Sequence, residues 1–541
     1  MLITTASEQK KENEIGTSLR DLLLYLEHAG EEDELSERAS EDAPFFLGQI
    51  SEQAGRLYEK IRGAVDNKEE HFLRRYAIRR IVKRIMWFSD DSKVIAGRLL
   101  RELYKSGYLP EDRVSRHTEE DVVHTISAFL ALSDEVSDRH GQGEFIFYKT
   151  RLLDIIAGAI EDKLYPTYNE ESAVRLLARI THERAAVSEF QISKEVLPTL
   201  FYIASWRALF AADYDLLLYK LWLTEYPGWD HLDDNSLTLC AHAFPEFLAR
   251  IDRQIEHQFI SRVLPKLHND SVAILVIYEL IKRYGRGIES LAHNKEKLLR
   301  ESEALVVEKY RKDIRRAGRK SWNAVIYILA TKAVLAGAIE SMYVSFFKQQ
   351  INLLVLFVNI SFHPFLLYLL TSRLNTPDKK NTERILVTVS DIIYEKELAP
   401  IYVRPARFGI LTDIALALYL ALLTAMLYVI SWTLSFFDFH IVDIVFFLLF
   451  FALILYFAFR IRHGATRMQL SGGREGFLYS LFELCALPII SIGRFLVVHF
   501  KRLNVIAVFM DFFIELPFKL ILEFFDTFSL VLKEKKDEMY S

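Results

Sequence analysis

The sequence predicts an all-α protein: a cytoplasmic α-helical array that could be solenoid-like, then a multi-pass α-helical membrane domain with a C-terminal amphipathic hairpin. Two observations lead to this fold class. Through residues 1–288, apolar side chains recur at helical spacing, and turns with Gly or Pro separate the segments. Through residues 323–459, apolar stretches reach the length of about 20 residues that a membrane-spanning helix needs.

The cytoplasmic array is assigned to residues 1–288. In TSLRDLLLYLEHAG, Ser18 is placed to cap a helix, leucines recur on one face, and Gly30 follows the last turn. Further helices are expected near 118–137, 145–163, 170–186, 193–222, 234–255 and 270–284. The segments share no fixed repeat length, so the pattern indicates stacked helices without assigning a repeat family.

A charged connector helix is predicted over residues 289–322. Leucine repeats every seven residues from Leu291, but the other core position of such a heptad carries Lys295 and Lys309. Because a coiled coil needs apolar side chains at both core positions, we expect a solvated single helix that leads to the membrane.

Four membrane-spanning helices are predicted in the next part of the chain. They cover residues 323–347, 351–371, 409–434 and 441–459. Basic residues flank these segments on one side of the membrane, while the opposite connections, KQQ and SFFDFH, are short and carry few charges. By the positive-inside rule, both termini are expected in the cytoplasm, with the protein in the cell (inner) membrane. The N-terminal residues lack the apolar core of a signal peptide, in agreement with this orientation.

Four polar residues fall within or beside the predicted spans: Lys332, Glu340, His363 and Asp413. An ionisable side chain in lipid costs about 2.5–3.5 kcal/mol, so such residues are candidates for a polar path that an ion or small solute follows. The alternative is structural: an ion pair between helices, charges near helix ends that reach the interface, and a histidine at a helix contact. The structural interpretation is favoured.

The C-terminal residues 460–541 are predicted to form a basic loop and an amphipathic helical hairpin, 476–500 and 504–532. The charges of the second helix lie on one stripe at 100° per residue. A tight turn would set Arg494 level with Asp511, so these two residues are predicted to pair. The hairpin either crosses the membrane or lies in its cytoplasmic leaflet. The second is favoured, because crossing would place its basic turn outside.

One basic amphipathic stretch, residues 72–88, stands out in the soluble part. Its basic residues lie away from the apolar face and are a candidate surface for anionic lipid or an acidic partner; they are Arg75, Arg79, Arg80 and Lys83. The favoured alternative is a helix packed in the core, whose arginines are solvated or pair with the acidic loop at 31–42.

No enzyme motif is recognisable: the chain has no phosphate-binding loop, no HExxH and no GxSxG. HLDD at 231–234 contains possible metal ligands, but no second histidine at a suitable spacing supports a site, and a helix cap at Asp234 or Ser236 is favoured. Cys240 and Cys485 are too few for a disulfide framework. A net charge of −5 argues against nucleic-acid binding. Neither a cofactor nor a metal is predicted.

Three function classes follow, in order. The first is a membrane-anchored scaffold or interaction protein that presents its cytoplasmic helical domain to a protein partner, with the lipid bilayer as its other contact. The second is a transporter or channel with a polar path near Lys332, Glu340 and Asp413. A membrane enzyme is third, because no catalytic set supports it.

Overall fold

The computed structural model describes residues 70–109, 116–139, 142–285, 287–347, 353–372, 378–405, 409–437, 439–470 and 486–497. These residues are mostly helical, which confirms the all-α class. The chain divides into two compact units. The first comprises Met1–Glu303 with Ile385–Pro405, and the second comprises Ala304–Arg384 with Ala406–Ser541.

The described elements of the first unit are helices and two short strands. Up to the second strand they are α1 Glu70–Ile85, α2 Ser92–Lys105, α3 Arg116–Arg139, α4 Gln142–Leu164, α5 Tyr168–Glu183, β1 Ala185–Val187, α6 Leu197–Phe210, α7 Tyr214–Glu225, α8 Asp234–Ile255, α9 Gln258–Tyr284 and α10 Gly287–Ala292. Neighbours along the chain pack on one another, as α2 does on α3 and α3 on α4. The boundaries of α8 coincide with the predicted helix at 234–255.

The helix predicted at 193–222 is two helices, α6 and α7. Ala211 ends α6 in the left-handed conformation with φ of 51°. Asp213 then caps α7, because its side chain accepts a hydrogen bond from the Leu216 amide at 3.1 Å. A left-handed residue followed by an N-cap ends one helix and starts the next.

Aromatic side chains form much of the first unit's core. Trp222 of α7 is fully buried and meets Phe244 and Phe247 of α8 edge to face, with ring centroids 5.7 and 5.2 Å apart. In the helix before Ala211, Phe201 of α6 meets Phe259 of α9 edge to face, with ring centroids 5.2 Å apart. Such pairs add to the apolar area that the helices bury.

A two-stranded parallel sheet joins distant parts of the chain. Strand β2, Ile401–Val403, pairs with β1 in the register Ala185 to Ile401. Segment Ile385–Pro405, which lies in sequence between the predicted spans 351–371 and 409–434, belongs to the first unit. Tyr394 reinforces this attachment, since its hydroxyl donates to the Ala292 carbonyl oxygen at 2.7 Å.

The connector predicted at 289–322 is interrupted after α10. A new helix, α11, runs from Lys295 to Phe347, and Asn294 caps it by accepting a hydrogen bond from the Lys297 amide at 3.1 Å. The chain that leads towards the first predicted span is thus one continuous helix of 53 residues.

The second unit holds the apolar helices. After α11 they are α12 Leu353–Ser372, α14 Ile410–Phe436, α15 Ile441–Ala465 and α16 Ala486–Val497, while α13 Lys379–Ile393 crosses the boundary between the units. Leu367 of α12 packs with Ile454 and Ala458 of α15 in a buried cluster. Gly493 lets α16 approach α15 closely, because a Cβ there would lie 2.1 Å from the Ala452 carbonyl oxygen.

Among the described residues, two helices are long and apolar enough to cross a membrane by length and composition: Asp413–Phe436 in α14 and Asp443–Ala465 in α15. They overlap the third and fourth predicted spans, 409–434 and 441–459. The predicted span at 351–371 corresponds to α12, whose apolar part, Phe357–Ser372, is shorter. Residues 323–347 are the last part of α11.

Candidate functional site

An open cleft of about 660 Å³ lies on the first unit, between α9 and the end of β2. Its lining residues are Ser261, Arg262, Pro265, Lys266, Tyr402, Val403 and Arg404. Three of them are cations, and none is an acid. The cleft is therefore a basic surface with room for an extended chain segment.

Helix α9 supplies two of the cations from one face. Its start is fixed by His257, whose side chain accepts a hydrogen bond from the Phe259 amide at 3.1 Å. Arg262 and Lys266 are four residues apart and exposed, whereas Val263 and Leu267 are buried in the core. Residues at this spacing are neighbours on a helix surface, so both charges face the cleft together.

Strand β2 supplies the opposite wall. Ile401 donates its amide hydrogen to the Arg184 carbonyl oxygen at 3.1 Å, and the Val403 carbonyl oxygen accepts from the Ser188 amide at 3.2 Å. The peptide groups of both residues therefore point towards β1. Because peptide groups alternate along a strand, those of Tyr402 point to the other edge. The Tyr402 side chain is 61% exposed.

The cleft cations are available for a ligand. Within the part of the chain that the structure describes, no ion pair involves Arg262, Lys266 or Arg404. An anionic group that enters the cleft would not have to displace a carboxylate from them. Charge-assisted hydrogen bonds from arginine to carboxylate or phosphate are stronger than neutral ones, so the arrangement suits an anionic ligand.

The candidate basic surface of residues 72–88 corresponds to α1. Two of its arginines, Arg75 and Arg79, pair with carboxylates of other elements in the first unit. Arg75 is buried between Glu161 and Asp213, with a distance of 3.0 Å to each carboxylate. Arg79 lies 2.6 Å from Asp154. These acids belong to α4 and to the cap of α7, and the acidic loop at 31–42 lies outside the described residues. Arg75 therefore does not contribute to an exposed basic surface.

The rest of that stretch also packs against the protein. Arg80 is half-buried, and Lys83 is exposed. Ile78, Ile81 and Val82 are buried, which is the pattern of a core helix. Sequence periodicity identified this buried face correctly.

Burial raises the pKa values of two acids in this network, Asp154 and Glu161. Burial and the nearby carboxylate of Asp215 raise the pKa of Asp154 to about 7, against the opposing effect of Arg79 and Arg151. The pKa of Glu161 is also raised, chiefly by burial, although Arg75 and Arg74 oppose the shift.

Stability is expected to depend on pH through Asp154. The folded state holds this proton between about pH 4 and 7, where the unfolded chain releases it, so the free energy of unfolding falls as pH rises through that window. One proton changes the slope by at most about 1.4 kcal/mol per pH unit. Asp154→Asn should flatten the profile measured by urea unfolding. Asp134→Asn, an exposed control on α3, should leave it unchanged. An equal slope in Asp154→Asn and the original protein would contradict this assignment.

The predicted polar residues of the second unit occupy different settings. His363 is fully buried on α12, where its Nε2 donates to the Phe447 carbonyl oxygen at 3.0 Å. Asp413 is exposed in the first turn of α14. Lys332 and Glu340 lie on α11, at positions where the structure describes the backbone only.

The predicted pair of the C-terminal hairpin stays a prediction. Arg494 is exposed on α16. Asp511 and the helix predicted at 504–532 lie outside the described residues.

Two features of the first unit, the position of Arg404 at the cleft and the contact of His124 with His231, have no signal in the local sequence. In the sequence, Arg404 is one of the basic residues that flank the predicted span at 409–434, and nothing local indicates that it lines a cleft with α9. Likewise, HLDD offered no histidine partner, yet the fold brings His124 of α3 beside His231. Asp233, next to the expected cap positions, is the N-cap residue of α8.

Comparisons with known proteins assign no family to this chain, so its fold and its cleft define the class of protein. No family model, no curated protein and no solved structure matches the chain. Fold and site define a mostly helical protein with two apolar helices of membrane-spanning length and a basic cleft on a separate helical unit.

Proposed function

We propose that the protein is a multi-pass membrane-anchored interaction protein, and that its first unit binds an extended acidic segment of a partner protein in the basic cleft. The observation that carries the proposal is the exposure of α14. The most apolar 18 residues of Asp413–Phe436 have a mean hydropathy of 2.3, yet none of them is buried.

Helix α14 needs an apolar environment along its whole length. Leu416 and Leu418 each expose more than half of their side chains, and at 100° per residue they lie on nearly opposite sides of the helix. Soluble monomers rarely expose contiguous apolar patches larger than a few hundred Å². A lipid environment removes the free-energy cost of exposing these apolar side chains to water. Helix α15 follows after a short turn and packs on α14, so the two helices form an antiparallel hairpin.

In the proposed topology, α12 and the end of α11 form the first hairpin, and α14 with α15 forms the second. Both termini and the first unit are then cytoplasmic. The basic run RIRHGATR ends at Arg467, after α15, on the same side as Arg404 before α14.

The cleft favours an extended acidic peptide over other ligands. An added strand could pair with the peptide groups of Tyr402 at the outer edge of β2. Its acidic side chains would then meet Arg262 and Lys266 on one side and Arg404 on the other. Main-chain pairing provides affinity that is independent of sequence, and the three charges add a preference for acidic residues.

Differential capture tests this function. The tagged full-length protein and the variant Arg262→Glu/Lys266→Glu/Arg404→Glu would be used to capture proteins from gently solubilised membranes, with quantification by mass spectrometry. We expect one or a few proteins to be lost from the variant by at least tenfold. A soluble polyglutamate peptide should displace the same proteins from the original protein.

The matched control reverses three exposed cations of α2, Lys93→Glu/Arg98→Glu/Arg101→Glu, and should keep those proteins. Identical captured sets for the cleft variant and the α2 control would contradict the proposal. So would a loss that polyglutamate does not reproduce.

A further inference from the structure

We infer that His124, Asp230 and His231 form a binding site for a divalent transition metal ion, with Zn²⁺ as the ion of choice. One ligand atom from each of the three residues lies within 4.8 Å of the other two. The two imidazole rings are stacked, with centroids 4.4 Å apart and planes inclined by 29°. This site is separate from the basic cleft, and the inference does not depend on the proposed function.

The fold holds the three residues on two elements. His124 lies on α3, while Asp230 and His231 belong to a short 3₁₀ turn, Trp229–His231. Gly228 precedes this turn with φ of 68°, a conformation that glycine adopts without strain. Trp229 is buried and meets Trp222 edge to face at 6.2 Å, so the turn is anchored in the core.

The carboxylate of Asp230 is oriented by two donors on the same oxygen. Thr125 donates its hydroxyl hydrogen to Oδ2 at 3.3 Å, and Lys163 places its ammonium group 3.3 Å from Oδ2. Within the described residues, Oδ1 makes neither a hydrogen bond nor an ion pair. Ligating carboxylates commonly have their second oxygen held in this way, which fixes the direction of the free one.

The ligand set selects the metal class. Two imidazole nitrogens and one carboxylate oxygen suit Zn²⁺, which binds such atoms at about 2.0–2.2 Å in tetrahedral geometry. Both histidines are exposed, so their rings can turn to bring the ligand atoms to the shorter separation that a tetrahedral site needs. The same exposure leaves the fourth position to water. The side chain of Asp230, by contrast, is only 10% exposed and provides the fixed ligand.

Protonation sets the conditions of binding. Stacked imidazoles repel each other when both are protonated, and a metal ligand must be neutral. Competition with protons is therefore expected to weaken metal binding as the pH falls.

Metal titration of the purified full-length protein tests the inference. Zn²⁺ would be added to metal-free protein in competition with a chromophoric chelator at pH 7.5. We expect one site that His124→Ala, His231→Ala and Asp230→Ala each weaken at least tenfold. Co²⁺ in place of Zn²⁺ should give the visible absorption bands of tetrahedral coordination, and these should disappear in the same variants.

The matched control is His117→Ala. His117 is another exposed histidine of α3, with its Nδ1 at 3.0 Å from Asp121, and lies outside the proposed site. This variant should bind Zn²⁺ as the original protein does. Circular dichroism separates loss of a ligand from loss of fold. Stoichiometric Zn²⁺ binding that survives in both histidine variants, or absence of such binding in the folded original protein, would overturn the inference.

Discussion

Replacing Glu161 with alanine is expected to lower the free energy of unfolding of the first unit by about 3–5 kcal/mol. The Glu161 carboxylate lies 3.0 Å from Nη1 of Arg75 and 3.4 Å from Nε of Arg74. The side chains of Arg75 and Glu161 are 5% and 7% exposed. Without Glu161, Arg75 keeps the carboxylate of Asp213, whereas Arg74 loses its neighbouring carboxylate. Arginine does not escape this loss by giving up its proton.

Urea unfolding monitored by tryptophan fluorescence measures this effect in the full-length protein, since Trp206 and Trp222 are buried in the first unit. Glu135→Ala is the control, because its pair with Arg139 is solvent-exposed and should contribute less than about 1 kcal/mol. A Glu161→Ala protein as stable as the Glu135→Ala protein would show that the buried network does not hold the unit together.

Two arginines in the middle of α14 are expected to prevent its insertion. Ala421 and Ala425 are exposed positions near the helix centre, so the substitutions Ala421→Arg/Ala425→Arg create no clash within the described part of the protein. Each charge costs about 2.5–3.5 kcal/mol at the centre of a membrane helix, which gives about 5–7 kcal/mol for the pair. The apolar residues of α14 offset this insertion cost only in part.

Labelling from outside intact cells measures insertion. A cysteine at exposed His440, in the turn between α14 and α15, is expected to react with a membrane-impermeant maleimide when the hairpin is inserted. The native Cys240 and Cys485 would be replaced by serine. The arginine variant should lose the labelling, and Ala421→Leu/Ala425→Leu should keep it. Full labelling of the arginine variant would argue that α14 is not a membrane helix.

Local sequence patterns predicted the helices well because a helix is a local structure. The apolar period gave α8 its boundaries and identified the buried face of α1. The break at Ala211 was missed, because alanine is a good helix former and its left-handed conformation there depends on packing. The cap at Asn294 has a local signal that the charge pattern of the connector obscured.

Long-range contacts had no sequence signal. Strand β2 is three residues long and pairs with β1 in a register that joins Ala185 to Ile401, 216 residues apart in sequence, so period-two alternation cannot reveal it. The basic cleft and the His124–His231 pair arise from the same cause: each joins residues whose proximity only the fold decides. The acids that pair with Arg75 and Arg79 likewise come from other helices.

The environment of α14 is tested most directly by collision measurements on a spin label. A nitroxide at Leu418, a position that is 70% exposed, would be compared in lipid vesicles with one at Val94, an exposed position on α2 of the first unit. We expect the Leu418 label to collide more often with oxygen than with a water-soluble nickel chelate, and the Val94 label to show the reverse. A Leu418 label that meets the nickel chelate as often as the Val94 label would place α14 in water and contradict a membrane anchor.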